Sequence, residues 1–394
     1  MIYADNAATT QMSRAAIDAM LQYMDTEYGN PSSLHTMGQQ AAEALQLARE
    51  TVAQQLGCDP CEIYFTSGGS ESDNQAILSA AAIGKSKGKR HIVSTAFEHH
   101  AVLHVLKKLE RDGFEITLLE VHENGIIIPR EVEDALREDT CLVTVMYANN
   151  EIGTIQPISE IGEICRKRNV IFHTDAVQAA GHIPIDVRRQ NIDMLSLSAH
   201  KFHGPKGIGA LYARKGIKLE TLIEGGAQER GKRAGTENIP AIMGMAAAFC
   251  DACSHMEEHK RKLVNFRDRL IEALGAIPHS VLNGDEMSRL PGNVSFCFEG
   301  IEGEALLLLL DQQGICASSG SACTSGALEP SHVLLAIGHP HEVAHGSLRL
   351  TLSAFNTEKN MAHIISTVPK VVEYLRGMSP LWRDMQEGKK THVI

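Results

Sequence analysis

No stretch of this 394-residue chain approaches the roughly 20 consecutive apolar residues that a membrane-spanning helix needs, so membrane insertion is not expected. The opening Met1-Ile2-Tyr3-Ala4-Asp5 has neither the basic nor the apolar region of a secretory leader, and a cytoplasmic location is expected. Blocks of lysine and arginine are also lacking. With a formal net charge of −11, direct binding to nucleic acid or to an anionic membrane surface is disfavoured. No internal repeat or low-complexity segment is present, and neither a Walker loop nor a G-x-G-x-x-G fingerprint occurs, so no nucleotide is indicated. Nine cysteines, an odd number without secretory context, argue for free thiols in a reducing compartment. Two C-x-x-C pairs, Cys58/Cys61 and Cys250/Cys253, lie far apart, and the second falls in a helix-like run over 243–259, so a zinc site is not expected from them.

What is present is the pattern of a large α/β protein. Hydrophobic residues at 43% and charged residues at 22% are ordinary globular values, and the length calls for two domains or one large domain with a smaller lobe. Short β-rich runs at 62–66, 91–95, 116–121, 141–147, 170–174, 194–197 and 208–213 mostly alternate with helical patterns, which implies parallel crossovers and a sheet buried on both faces. Helical periodicity is clearest over 36–56, where Gly57 supplies a stop. Beyond a long charged helical region the pattern changes to an α+β lobe, with strands at 293–298, 315–317 and 347–353 and helices at 302–312 and 357–376. The tail after Gly377 is polar apart from Trp382 and is expected to be loosely ordered.

Each polar motif lies just past one of the strand-like runs, where open α/β sheets bind ligands. Ser196-Leu197-Ser198-Ala199-His200-Lys201 leaves Lys201 beyond a strand, able to attack a carbonyl and form an imine if its pocket is dry. Seen alone it reads more readily as an ordinary surface lysine, since lysines are usually solvated. Phe65-Thr66-Ser67-Gly68-Gly69-Ser70 runs from a strand into a helix and makes an anion cradle, or simply a capped turn. Asp175, in His173-Thr174-Asp175-Ala176-Val177-Gln178, places a carboxylate after an apolar strand, where a protonated pyridine nitrogen would balance it. Asn149-Asn150-Glu151 offers neutral donors suited to a phenolate oxygen. An amine for an imine, a carboxylate for a pyridinium, donors for a phenolate and a phosphate cradle together fit pyridoxal 5'-phosphate.

With these motifs in order the chain resembles the NifS/IscS-type cysteine desulfurases, pyridoxal-phosphate enzymes of fold type I. The likeness runs from Asp5-Asn6-Ala7-Ala8-Thr9-Thr10 and Asn30-Pro31-Ser32-Ser33 to Ser379-Pro380-Leu381-Trp382. Its most specific part is Ser318-Ser319-Gly320-Ser321-Ala322-Cys323-Thr324-Ser325-Gly326. The resemblance implies a large cofactor-binding domain over 16–259, with a mostly parallel seven-stranded sheet, and a small domain over 1–15 and 260–394 that carries the cysteine loop. It implies an imine at Lys201, with Asp175 on the pyridine nitrogen, Gln178 and Asn150 near the phenolate oxygen, and His99 over the ring. Gly69, Ser70, Ser198 and His200 match phosphate binders. Thr236 matches a phosphate binder given by the other subunit of a homodimer. Arg349 matches the arginine that grips the substrate carboxylate, and Asn150 is placed beside it.

L-cysteine is the implied substrate, Cys323 the nucleophile that takes its sulfur, and an iron–sulfur scaffold protein the acceptor. No intrinsic metal is implied, although Cys323 could share an iron–sulfur ligand. Two departures are small. Gly69-Ser70 stands where many members have Ala-Thr, and Ser353-Ala354-Phe355 lacks the basic residue often found there. A selenocysteine or cysteine-sulfinate lyase is the nearest alternative. An aminotransferase leaves the cysteine loop unexplained, and a non-catalytic relative would have lost Lys201 or Arg349.

Overall fold

A computed structural model describes residues 1–320 and 330–394; Cys323 lies outside the described residues. Its strands, in chain order, are β1 (Ile2–Tyr3), β2 (Ile63–Thr66), β3 (His91–Thr95), β4 (Glu115–Leu119), β5 (Thr140–Thr144), β6 (Ile171–Asp175), β7 (Met194–Ser198), β8 (Gly209–Ala213), β9 (Ser280–Leu282), β10 (Asn293–Phe298), β11 (Ile315–Cys316) and β12 (Ser347–Thr351). Seven of them form one sheet in the order β2-β8-β7-β6-β5-β3-β4. Every pairing is parallel except those of β8, which runs against both β2 and β7. The reason is local: the link from β7 to β8 holds only the single turn Ala199–Lys201, too short for the crossover that a parallel partner requires.

Strands β3, β5, β7 and β8 are buried at every residue, as the apolar runs in the sequence require of a sheet covered on both faces. The carboxyl ends of β2, β3, β5, β6 and β7 consequently open on one edge, and every loop that carries a candidate site residue from this sheet starts there.

Helix boundaries follow recognisable chemistry. Helix Thr36–Leu56 ends at Gly57, whose φ of 71° is a left-handed position that a side chain would strain, and whose N–H returns to Ala53 and Gln54. The run expected as one helix near 243–259 is instead two, Ile239–Ser254 and Met256–Gly275, bent by 69° at His255. No single helix among the described residues is long and apolar enough to cross a membrane.

A second core forms around β10 and β12, which pair antiparallel with β9 on the outer edge of a three-stranded sheet. Ile2 and Ala4 join it with Leu263, Phe266, Phe296, Leu348, Ile364 and Val368. Strand β9 was not anticipated, because three half-buried residues leave no periodic signal. The tail also departs from expectation. It forms a helix, Pro380–Gln386, capped by Ser379, with Met385 buried and the Arg376 guanidinium stacked 4.1 Å over the Trp382 ring. That stack joins the Val393 and His392 bonds to Glu299 in docking a polar segment.

A buried ion pair ties the sheet edge to the loops beyond β8. Arg49 bonds Glu229 through two nitrogens at 2.8 and 2.7 Å, and Glu229 also accepts from the Phe65 N–H of β2 at 3.0 Å. Both side chains are nearly sealed, at 7% and 2% exposure. Arg49→Ala would leave Glu229 charged, buried and unmatched, and should lower stability by about 3–5 kcal/mol. Thermal unfolding checks this; a change under about 1 kcal/mol would mean that water reaches Glu229.

Candidate active site

One cavity of about 420 Å³ opens at the carboxyl edge of the large sheet. It is lined by Ala7, Ala8, Gly69, Ser70, Asp73, His99, Met146, Asn150, Asp175, Val177, Gln178, Ser198, His200, Lys201 and Arg349. Eleven of the twelve residues proposed from the sequence can be placed: all except Thr236 and Cys323 line it, as Thr236 is exposed elsewhere and Cys323 lies outside the described residues.

The strand ends explain the convergence. β2 delivers Gly68 and Gly69 to the start of helix Gly69–Ser86, and a Cβ on Gly69 would sit 2.6 Å from Val177 Cγ2. Only glycine lets the loop after β2 pass that close to the loop after β6, leaving helix-start N–H groups open toward the cavity. β6 ends in Asp175 itself, and β7 ends in Ser198, just before the turn that holds Lys201. His99 caps helix His100–Arg111, its Nδ1 accepting from the Ala101 N–H at 3.1 Å. The amino-terminal segment closes the other side. Lys201 Nζ donates to the carbonyls of Ala7 at 2.5 Å and Ala8 at 2.9 Å, and Gln178 Nε2 donates to Ala7 at 3.0 Å.

Burial dominates the electrostatics. Asp175 is pushed up from the usual carboxylate range by burial, against the opposing pull of His99, the Val177 N–H and Lys201. His99 is pushed down by burial, which the Asp175 charge partly offsets. Burial, with Lys201 beside it, takes His200 down to about 4, so its imidazole is neutral. Arg349 on β12 enters from the second core with only 3% of its side chain exposed. Its Nη2 donates to Asp5 at 2.9 Å and its Nη1 to the Asn150 carbonyl at 3.2 Å, while buried Nε has no hydrogen-bond partner. A guanidinium with an unsatisfied donor is poised for a carboxylate.

Several acids escaped the sequence reading. Asp73 lines the cavity, is fully buried with Oδ1 lacking a hydrogen bond though 3.6 Å from His173 Nε2, and is pushed well up by burial and the nearby Asp175 charge. Its place one helical turn after Ser70 was the available signal. Glu98 is buried below, accepting from Thr95 Oγ1 and the Met146 N–H, both at 2.8 Å. Asp5 was quoted only within a motif, with no hint that it would meet Arg349. Asn149 is structural: it accepts from the Glu151 and Ile152 N–H groups and donates to the Phe97 carbonyl, leaving Asn150 to face the cavity.

A helix-start anion cradle, a buried carboxylate, a lysine amine and a neutral histidine around one cavity of this size are what pyridoxal phosphate requires, and the Arg349 Nε without a hydrogen bond leaves polar capacity for its substrate. The fold and pocket define a fold type I pyridoxal-phosphate enzyme. The aminotransferase class-V family matches residues 2–364. A protein named cysteine desulfurase IscS from Methanosarcina thermophila is 54% identical over 380 residues, covering 96% of this chain and 94% of that protein. One of the same name from Clostridium botulinum is 52% identical, covering 99% and 98%. A solved structure described as a NifS-like protein superposes with a TM-score of 0.89 at 38% identity, over 95% of this chain and all of that one. Another, described as SspA in complex with cysteine, gives 0.80 at 36% identity, over 91% of this chain and 100% of that one. The chain belongs to the class-V aminotransferase family and, within it, to the cysteine desulfurases of the NifS/IscS type.

Glu98 gives the site a pH signature. Burial raises its carboxyl from about 4.5 to about 8, so the folded protein keeps a proton there that the unfolded chain gives up above 4.5. Stability from this group is therefore full below pH 4.5 and declines as pH rises toward 8, by an amount on the order of a few kcal/mol. Glu98→Gln should remain folded and grow more stable relative to the parent between pH 6 and pH 9. Parallel unfolding curves over that range would show that Glu98 is already ionised.

Proposed function

We propose that this cysteine desulfurase removes sulfur from L-cysteine, releasing L-alanine and leaving a persulfide on Cys323. What carries the reading is the convergence of Lys201, Asp175, the Gly69–Ser70 helix start and Arg349 on one cavity. Pyridoxal phosphate, when bound, supplies an electron sink for charge developing at the substrate α-carbon. Ser70, Ser198, His200 and the amides at the start of helix Gly69–Ser86 would hold its phosphate, and Asp175 its ring nitrogen.

The chain's own groups do the rest. Arg349 binds the substrate carboxylate and fixes which face of the α-carbon meets Lys201. Lys201 Nζ accepts the α-proton, and the same amine can return a proton to the alanine product. His99, which lines the cavity, would pack against the ring and limit water there. The Cys323 thiolate attacks the substrate sulfur: an S–S bond forms, the substrate Cβ–S bond breaks with its electron pair left on carbon, and Cβ takes a proton. One thiol is oxidised to the persulfide level and one carbon is reduced, so no outside oxidant is needed.

Thr236, exposed and outside this chain's cavity, serves the phosphate of a second copy, making the working unit a homodimer. The persulfide passes to an iron–sulfur scaffold protein, in the cytoplasm. The absence of lysine- and arginine-rich blocks supports a protein acceptor over direct transfer to nucleic acid.

Lys201→Ala should abolish the visible absorption of the cofactor-loaded enzyme together with turnover; retained colour and rate would sink the assignment. Arg349→Ala should raise KM for cysteine by about 10²-fold while cofactor affinity changes little, since its open donor serves substrate. Equal loss of cofactor would place Arg349 on the phosphate. Cys323→Ser should bind pyridoxal phosphate and cysteine yet form neither alanine nor persulfide in a single turnover, and alanine at the parental rate would refute its role as nucleophile.

A further inference from the structure

Away from the cofactor cavity, His279, Glu299 and His392 bring three potential ligand atoms within 4.8 Å of one another. They come from separate segments: His279 from the turn before β9, Glu299 from the residue after β10, and His392 from beyond the helix Pro380–Gln386. The Nδ1 atoms of His392 and His279 lie 2.8 and 3.4 Å from the same Glu299 Oε2. The Ile394 main-chain oxygen is 2.7 Å from His279 Nδ1, so two nitrogens and two oxygens of different kinds face one another. His279 is held there at a φ of 53°, a left-handed backbone position uncommon for a residue with a side chain.

Charge balance makes the cluster unusual. The Glu299 side chain is 2% exposed and accepts from the Val393 N–H and from His392. Among the described residues no lysine or arginine forms an ion pair with its carboxylate. Arg376 is near, but its nitrogens donate to the main-chain oxygens of Glu299, Pro278 and His279. Hydrogen bonds alone do not neutralise a buried carboxylate, which is costly without a fixed counter-charge. A divalent cation would supply that charge. The imidazoles, 29% and 26% exposed, leave it a way in and room for water as a further ligand.

We propose that His279, Glu299 and His392 bind a divalent ion of the zinc class, which fastens the tail to the end of β10. Imidazole nitrogen combined with carboxylate oxygen suits Zn²⁺ or Co²⁺ rather than the oxygen-seeking Mg²⁺ or Ca²⁺. The two rings stack at 3.8 Å and 24°, and binding turns them apart so that the ion lies in both ring planes. Their Nδ1 protons, which now donate to Ile394 and Glu299, shift to Nε2 in the metal-bound form.

The test uses holoenzyme with its accessible thiols alkylated, because the cysteines would otherwise compete for metal. After chelator treatment, Zn²⁺ is titrated calorimetrically and Co²⁺ by absorption. The expected result is one ion per chain, a Co²⁺ spectrum free of sulfur-to-metal charge transfer, and an affinity at least about tenfold weaker in both His392→Gln and His279→Gln. Zn²⁺ should also raise the melting temperature of the parent and protect the bonds after Lys389 and Lys390 from trypsin, with neither effect in His392→Gln. Failure of the parent to take up one ion per chain at about 1 mM Zn²⁺, or equal uptake by the two variants, overturns the proposal.

Discussion

A carboxylate at the end of a buried strand must find a positive partner or give up its charge, and the site is built around Asp175 in that position. Its strand lies inside a sheet covered on both faces, so solvent cannot relieve it. His99 and Lys201 supply the opposing pull, and the Val177 N–H holds one of its oxygens at 2.9 Å. Asp73 and Glu98 lie within reach of the same charge, and burial together with that charge pushes both carboxyls upward. Of the three acids, Asp175 is the one with His99 and Lys201 pulling against its burial.

Much of this could be read from the amino acids. The seven runs of β-rich sequence all became strands of one sheet, because continuous apolar runs with helical intervals leave few other arrangements. The motifs past β2, β6 and β7 converged because parallel strands put their carboxyl ends on one edge. What escaped the reading depends on contacts between distant residues. Nothing local about Asp5 says that it will meet Arg349, or about Glu229 that it will be buried against Arg49. The docked tail was missed because its helix is short and polar, and the contacts that hold it, the Arg376–Trp382 stack and the bonds of His392 and Val393 to Glu299, join distant residues.

The amino-terminal segment works as a strap between two cores. Residues 2 and 3 pair with β11, Asp5 bridges to Thr351, and Ala7 and Ala8 receive Lys201. Thr10 closes the run by donating through its hydroxyl and its N–H to the His200 carbonyl. One short stretch thereby fixes the lysine loop relative to the sheet that carries Arg349, which is why a cleft between two cores can still hold its groups within hydrogen-bonding distance.

The Arg349–Asp5 contact also has a consequence for synthesis, since its partners are 344 positions apart. A chain emerging from the ribosome exposes the glycine loop, Asp175 and Lys201 well before Arg349 has been made. The groups proposed to hold the cofactor are made first, as are Ala7, Ala8 and Thr10, which meet the lysine loop, while most of the second core is still untranslated. Arg349 arrives late, so a half-made chain carries the glycine loop, Asp175 and Lys201 before the guanidinium that completes the cavity exists.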